Sequence, residues 1–171
     1  MIDPSAFIAP GAAVLGDVTL GPESSVWYHA VLRADMAPIT VGEKTNIQDL
    51  TMVHVDEGEP CTIGSRVGVG HRAIIHGCHV ADDCLIGMGA ILLNGVRIGS
   101  GSVIGAGALV TENTEIPPDS LAIGVPARVV RSVDDVLRRR IQSTWQHYVR
   151  LAGRHRAGEV PMHPATEIVY L

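Results

Sequence analysis

Residues 80–116 read VADDCLIGMGAILLNGVRIGSGSVIGAGALVTENTEI, and an aliphatic side chain returns every six positions: Val80, Ile86, Leu92, Ile98, Ile104, Val110 and Ile116. Glycine often follows directly, as in Ile86-Gly87, Ile98-Gly99 and Ile104-Gly105. An amphipathic helix repeats its apolar residues every three to four positions and a half-buried strand every two, so neither accounts for a period of six. One short strand plus one tight turn per unit does. The aliphatic residue points inward, a small residue fits the crowded corner, and glycine accommodates the turn.

The period extends outward from this stretch. Upstream it runs through Ile2, Ile8, Val14, Leu20, Val26 and Leu32, resumes at Val41, Ile47 and Val53, and resumes again at Ile63, Val69 and Ile75. One residue is then dropped before Val80. Small side chains sit four positions after most of these, among them Ala30, Thr45, Thr51, Ala73, Cys84, Ala90, Ser102 and Ala108. Three units make a triangular coil of about 18 residues, and stacked coils form a parallel β-helix. A sandwich of short strands is the alternative, and it does not require so many matches in one register. The chain is therefore expected to be all-β with a C-terminal α-helix. The repeat pattern resembles the hexapeptide-repeat superfamily of left-handed β-helices over roughly Ile2 to Arg131. The left hand is implied by that resemblance, since the general preference for right-handed crossovers argues the other way.

Three segments are expected: the hexapeptide-repeat β-helix over 1–131, a helix over 132–158 and an extended tail over 159–171. Ser132 is a candidate helix cap, and Asp134 and Asp135 suit the positive end of a helix. Val133, Leu137, Ile141, Tyr148 and Leu151 or Ala152 recur at helical spacing. This helix is expected along the outside of the prism or against a neighbouring subunit. Arg138, Arg139 and Arg140 read as a solvated face or as inter-subunit ion-pair donors.

Composition bounds the function. At 171 residues the chain is one domain, and a net charge of -5 argues against a protein that binds nucleic acid through its phosphates. Apolar residues make up 46% and aromatics only 4%, so the core is aliphatic. The three cysteines, Cys61, Cys78 and Cys84, form no disulfide framework and no zinc-finger spacing. No apolar run reaches membrane-spanning length. A soluble, cytoplasmic protein is expected, with no nucleic-acid or membrane partner.

The register singles out three of the eight histidines. Val53 and Ile75 are both third units of adjacent coils, so His54 and His76, which follow them directly, point outward side by side. Adjacent strands lie ~4.8 Å apart, a spacing from which two imidazoles can share one metal ion. His71 belongs to the second unit, five residues before His76, and in extended chain that is ~16 Å. It reaches the same ion only if another subunit brings its own His71. The alternative is three unrelated surface histidines.

Arg33-Ala34-Asp35, Asn46-Ile47-Gln48-Asp49, His54 and the run Gly70-His71-Arg72-Ala73-Ile74-Ile75-His76-Gly77-Cys78 resemble the gamma-class carbonic anhydrases and their relatives. The resemblance implies a homotrimer in which His54 and His76 of one subunit and His71 of its neighbour bind zinc. It implies that Arg33 and Asp35 form an inter-subunit ion pair, that Asp49 partners the interface arginine, and that Gln48 hydrogen-bonds the metal's water. Arg33 and Asp35 also fit a solvated pair on a long corner loop, and Asn46 a corner residue in a tight turn. Three neutral imidazoles suit Zn²⁺, and Fe²⁺, Co²⁺ and Ni²⁺ accept them as well. The implied reaction is hydration of carbon dioxide to bicarbonate by a water that the metal activates.

The chain departs from that family's best-studied pattern at two places. Met36 stands where a glutamate follows the Arg-x-Asp triplet, and the loop 55–62 is short where the pattern has a long acidic one. Glu57 or Glu59 can carry protons from that short loop, or the loop is a polar turn. Tyr148 reaches the site from outside or packs the helix. Other readings are metal-dependent thioester hydrolysis, a hexapeptide acyltransferase with a histidine as general base, and a non-catalytic metal-binding assembly protein.

Overall fold

The computed structural model describes residues 1–162. Each six-residue unit makes one short strand, three strands close a coil, and parallel pairing between coils builds three faces. On the first face Val41, Ile63, Val80, Ile98 and Ile116 stand in register. On the second the row is Val26, Ile47, Val69, Ile86 and Ile104. On the third it is Leu32, Val53, Ile75, Leu92 and Val110. All point inward and are buried. Each contributes roughly 1.5–3 kcal/mol relative to exposure, so the stacked rows hold the prism together without a layered core of the usual kind. The chain is a left-handed parallel β-helix with a C-terminal helix, the stacked coils as the repeat leads one to expect and the hand as the resemblance implies.

The period predicts burial for Ile2 and Ile8 too, yet they are 42% and 39% exposed. They belong to the first coil, which has no coil beneath it. The two interruptions of the period also have structure. Residues 33–40 are no corner loop: they belong to the strand Val31–Val41, which runs from the third face to the first and pairs with Ala13–Leu20 at both ends, with a bulge at 35–38 between them. The second interruption is a tight turn closed by an antiparallel bridge between Asp56 and Glu59.

The chain leaves the prism through Ser120–Gly124 and Ala127–Ser132, which pair antiparallel. The helix α1, Asp135–Arg156, follows. Its cap is Asp134, whose carboxylate accepts from the Leu137 N–H at 2.9 Å, and not Ser132, which still belongs to the strand. Helix α1 runs back along the outside of the second face. At its start Val133, Leu137 and Ile141 pack on Leu85, Val103 and Leu121. At its end Tyr148, Leu151 and Ala152 pack on Phe7 and Trp27. Gly68 lets the helix come close, since a Cβ there would lie 3.0 Å from the Thr144 methyl. Arg138 forms an ion pair with Asp119 at 2.6 Å. The tail from 163 onward lies outside the described residues. Among the described residues no helix is long and apolar enough to cross a membrane.

Candidate metal centre

Arg33, His54 and His76 are register partners on three successive rungs of the third face. Each follows an inward aliphatic residue, so side-chain alternation turns it outward. The two imidazoles lie with centroids 5.0 Å apart, and His54 Nδ1 stands 3.0 Å from His76 Nε2. His54 is the better shielded, its side chain 13% exposed against 25% for His76.

The outer nitrogens of both rings have assigned partners. His54 Nε2 donates to Asp35 Oδ1 at 3.1 Å. Asp35 also pairs with the Arg33 guanidinium, within the same chain. Desolvation raises the Asp35 pKa, but the hydrogen bonds from Arg33 and His54 outweigh it and hold the carboxyl below its ordinary value. His76 Nδ1 lies 2.6 Å from Asn94 Oδ1, and the Asn94 amide nitrogen donates to Asp56 at 2.8 Å. A carboxylate only accepts, so Asp56 fixes which way the Asn94 amide faces, and His76 must donate. Gly77, at φ +49°, leaves room for this amide: a Cβ there would lie 2.4 Å from Asn94 Oδ1.

With both outer nitrogens donating, the two inner nitrogens face each other as lone pairs. Two lone pairs converging at 3.0 Å offer a site for a cation, and a divalent metal can accept both. Nitrogens sharing one tetrahedral zinc lie ~3.3 Å apart, close to the spacing here. Asp56, from the turn, completes a His54–Asp56–His76 group whose ligand atoms all lie within 4.8 Å of one another.

His71 stands apart, at the corner between the second and third faces. Its Nδ1 is 2.9 Å from Asp49 Oδ2, its Nε2 is 3.4 Å from the Tyr148 hydroxyl, and its backbone N–H donates to Gln48 Oε1. Asp49 thus meets His71 in this chain, not Arg33. Gln48 is buried, with its amide nitrogen donating to Asn46. Asn46 is not a turn residue but a fully buried strand residue under α1. Tyr148 serves two purposes: its ring packs edge-on to Trp27 at 5.2 Å, and its hydroxyl reaches His71. Burial and the Asp49 charge push its pKa up to about 12, so the phenol remains a donor. Glu57 is exposed at the tip of the turn.

The period left two residues of this cluster unremarked. Asn94 lies 18 positions after His76 on the next coil, one residue past the register partner because that coil is 17 residues long, so the period does not point to it. Asp56 is in the short acidic loop, but its direction depends on the turn.

The fold and the cluster define a hexapeptide-repeat β-helix carrying an outward histidine pair suited to a metal ion. Two family models match, "Bacterial transferase hexapeptide (six repeats)" over residues 77–112 and "Hexapeptide repeat of succinyl-transferase" over 58–93. A Methanocaldococcus jannaschii protein named "Probable carbonic anhydrase" is 49% identical, covering 89% of this chain and 96% of its own. Gamma carbonic anhydrase 2, mitochondrial, of Arabidopsis thaliana is 44% identical over 91% of this chain, which spans 58% of that relative's length. A solved hexapeptide transferase family protein from Anaplasma phagocytophilum superposes with a TM-score of 0.84 at 36% identity, covering 89% of this chain and 90% of its own. The chain belongs to the gamma carbonic anhydrase family.

Proposed function

We propose that this protein hydrates carbon dioxide to bicarbonate at a metal site that two subunits complete. The observation that carries this reading is the disposition of three imidazoles. A side-chain oxygen stands against one ring nitrogen of each: Asp35 for His54, Asn94 for His76 and Asp49 for His71. Such partners set the tautomer and aim the other nitrogen, as around metal-bound histidines generally. A divalent ion held by three neutral imidazoles supplies Lewis acidity and brings a bound water toward ionisation near neutral pH. Zinc fits this donor set best in our reading, and Fe²⁺, Co²⁺ and Ni²⁺ are the competitors.

His71 is a ligand only across an interface, and the third face offers one. Val31, Met52, Ile74, Ile91 and Leu109 form an outward row in register, where solvent-facing strand positions are ordinarily polar. Met52 and Ile74 are 36% and 39% exposed in the single chain. The row lies on the face that carries His54 and His76, and His71 stands at its edge. Three prisms packed by this face around a threefold axis make three shared sites, with Arg33 at the same seam. Within a site, Asp35, Asn94 and Asp49 orient the imidazoles. Gln48 positions His71 through its backbone and would offer its remaining amide N–H to a water held by the metal. Glu57, exposed at the turn, passes protons to buffer.

The test is stopped-flow carbon dioxide hydration on anaerobically prepared protein of measured metal content. Hydration that scales with bound metal and disappears in His76→Ala supports the reading. Full hydration by metal-free protein defeats it.

A further inference from the structure

A groove of about 330 Å³ runs between helix α1 and the second face, beyond anything that carbon dioxide requires. Its floor is apolar, with Leu85 and Val103 from the prism and Leu137 from the helix. Gly70, Gly87 and Gly105 follow inward residues on successive rungs and leave one wall as bare backbone. One end is polar, formed by the Tyr148 hydroxyl beside His71, with Asp49 behind the imidazole. The other end carries the guanidinium of Arg140.

Arg140 is the telling residue. It is exposed and, like Arg139 and Arg150 on the same helix, has no acidic partner among the described residues, but it alone of the three lines the groove, whereas Arg138 is bonded to Asp119 at 2.6 Å. Arg140, Thr144 and Tyr148 lie on one stripe of the helix, so the two ends of the groove are ~12 Å apart along the axis. An unpaired cation at one end of an apolar trough describes a ligand with one anionic head and a slender apolar body, and the Tyr148 hydroxyl that closes the far end is already turned to His71. A guanidinium suits a carboxylate head, which it holds through paired N–H donors.

We propose that this groove binds an amphipathic monocarboxylate of medium chain length, with the carboxylate on Arg140 and the chain over Leu85, Val103 and Leu137. Binding itself needs only residues of one chain. That the ligand's far end meets the reaction centre rests on the assignment of His71 to a shared metal site. The two parts fail separately, because binding can be measured on metal-free protein and hydration without the carboxylate.

Isothermal titration of the intact protein, with and without metal, tests the proposal using octanoate, octylamine, octanol and acetate. Octanoate is expected to bind saturably, one per chain, with octanol and acetate each at least tenfold weaker and octylamine without measurable binding. Arg140→Gln is expected to weaken octanoate at least tenfold while Arg139→Gln, a neighbouring arginine outside the groove, leaves it unchanged. Circular dichroism shows that both variants are folded. Equal binding of octanoate and octylamine, equal loss in the two variants, or no binding by octanoate overturns the proposal.

Discussion

His76 donates through Nδ1 to Asn94 Oδ1 at 2.6 Å, and Asn94 stands one coil further along the prism than the histidine it orients. The partner is rigid because its own amide nitrogen is held by Asp56. The ring therefore presents Nε2 to His54 in one tautomer. A β-helix provides such support cheaply, since every outward residue has a neighbour about 4.8 Å above and below it.

Asn94→Ala is expected to leave the fold intact and weaken metal binding by about 10- to 100-fold, the usual cost of losing an orienting partner. Competition with a chromogenic chelator measures this. Asn94→Asp, which keeps an acceptor, is expected to recover part of the loss. Unchanged affinity in Asn94→Ala would show that the His76 ring needs no such support.

Light scattering is expected to give three times the monomer mass of 18.1 kDa. Trimers reassembled from His71→Ala and His76→Ala subunits are expected to regain some metal and activity, because a site drawing on two wild-type residues from different chains is then intact. Neither parent variant has one. Absence of recovery in verified mixed trimers would put every ligand in one chain.

Ile74→Asp is expected to dissociate the assembly while leaving the prism folded, since it places a charge in the apolar row and removes nothing from the inward rows. Arg33→Ala is expected to act in the same direction but more weakly, as an exposed ion pair contributes on the order of 1 kcal/mol or less. Sedimentation velocity across a dilution series distinguishes dissociation from unfolding when paired with circular dichroism. A variant Ile74→Asp that stays trimeric at high dilution excludes this face as the interface.

Alkaline pH is expected to destabilise the fold. Burial raises the Cys84 thiol from 9.0 to about 12, and burial with Asp49 raises the Tyr148 phenol from 10.0 to about 12. Both folded pKa values exceed the unfolded ones, so the folded state holds protons that the unfolded chain releases. The stability is complete below pH 9 and falls as pH rises through the window toward 12, by up to ~1.4 kcal/mol per pH unit for each group. Urea unfolding at stepped pH measures the slope. Cys84→Ala is expected to reduce it most between pH 9 and 10, where the unfolded thiols ionise ahead of the phenol, and the remainder there comes mainly from Cys78, which its hydrogen bond with Cys61 and burial also push up. An identical slope in that variant removes the thiol from the account.

Glu57→Ala is expected to lower the hydration rate in weak buffer and to be rescued by added imidazole. An undiminished rate in weak buffer assigns the turn between Asp56 and Glu59 to structure alone.

The six-residue period was enough to establish the β-helix, the three inward rows and the adjacency of His54 and His76, because each of these follows from local alternation repeated at constant spacing. The same alternation shows that His71 is on another unit and that it cannot reach the pair along its own chain. The helix was legible from its spacing, and its cap was misplaced by two residues because Ser132 and Asp134 are both good capping residues. Antiparallel pairing of Ala127–Ser132 with Ser120–Gly124 decided between them.

What only the tertiary structure decided lies where the period breaks or where distant segments meet. The stretch 33–40 has no six-residue signal, yet it is a strand because Ala13–Leu20 pairs with both of its ends, and the bulge between them, just after the Arg33–His54 register pair, turns Asp35 to His54. Asp56 joins the histidines through a turn whose direction no repeat specifies. Asn46 and Gln48 look like surface residues by alternation, and they are buried because helix α1, about 90 residues later, folds back over their face. The same return brings Tyr148 to His71 and creates the groove bounded by Arg140. Periodicity records what each residue does relative to its own coil. It carries no information on which surface a non-repeating segment will cover, since that is settled by matching apolar area and close approach between parts of the chain far apart in sequence.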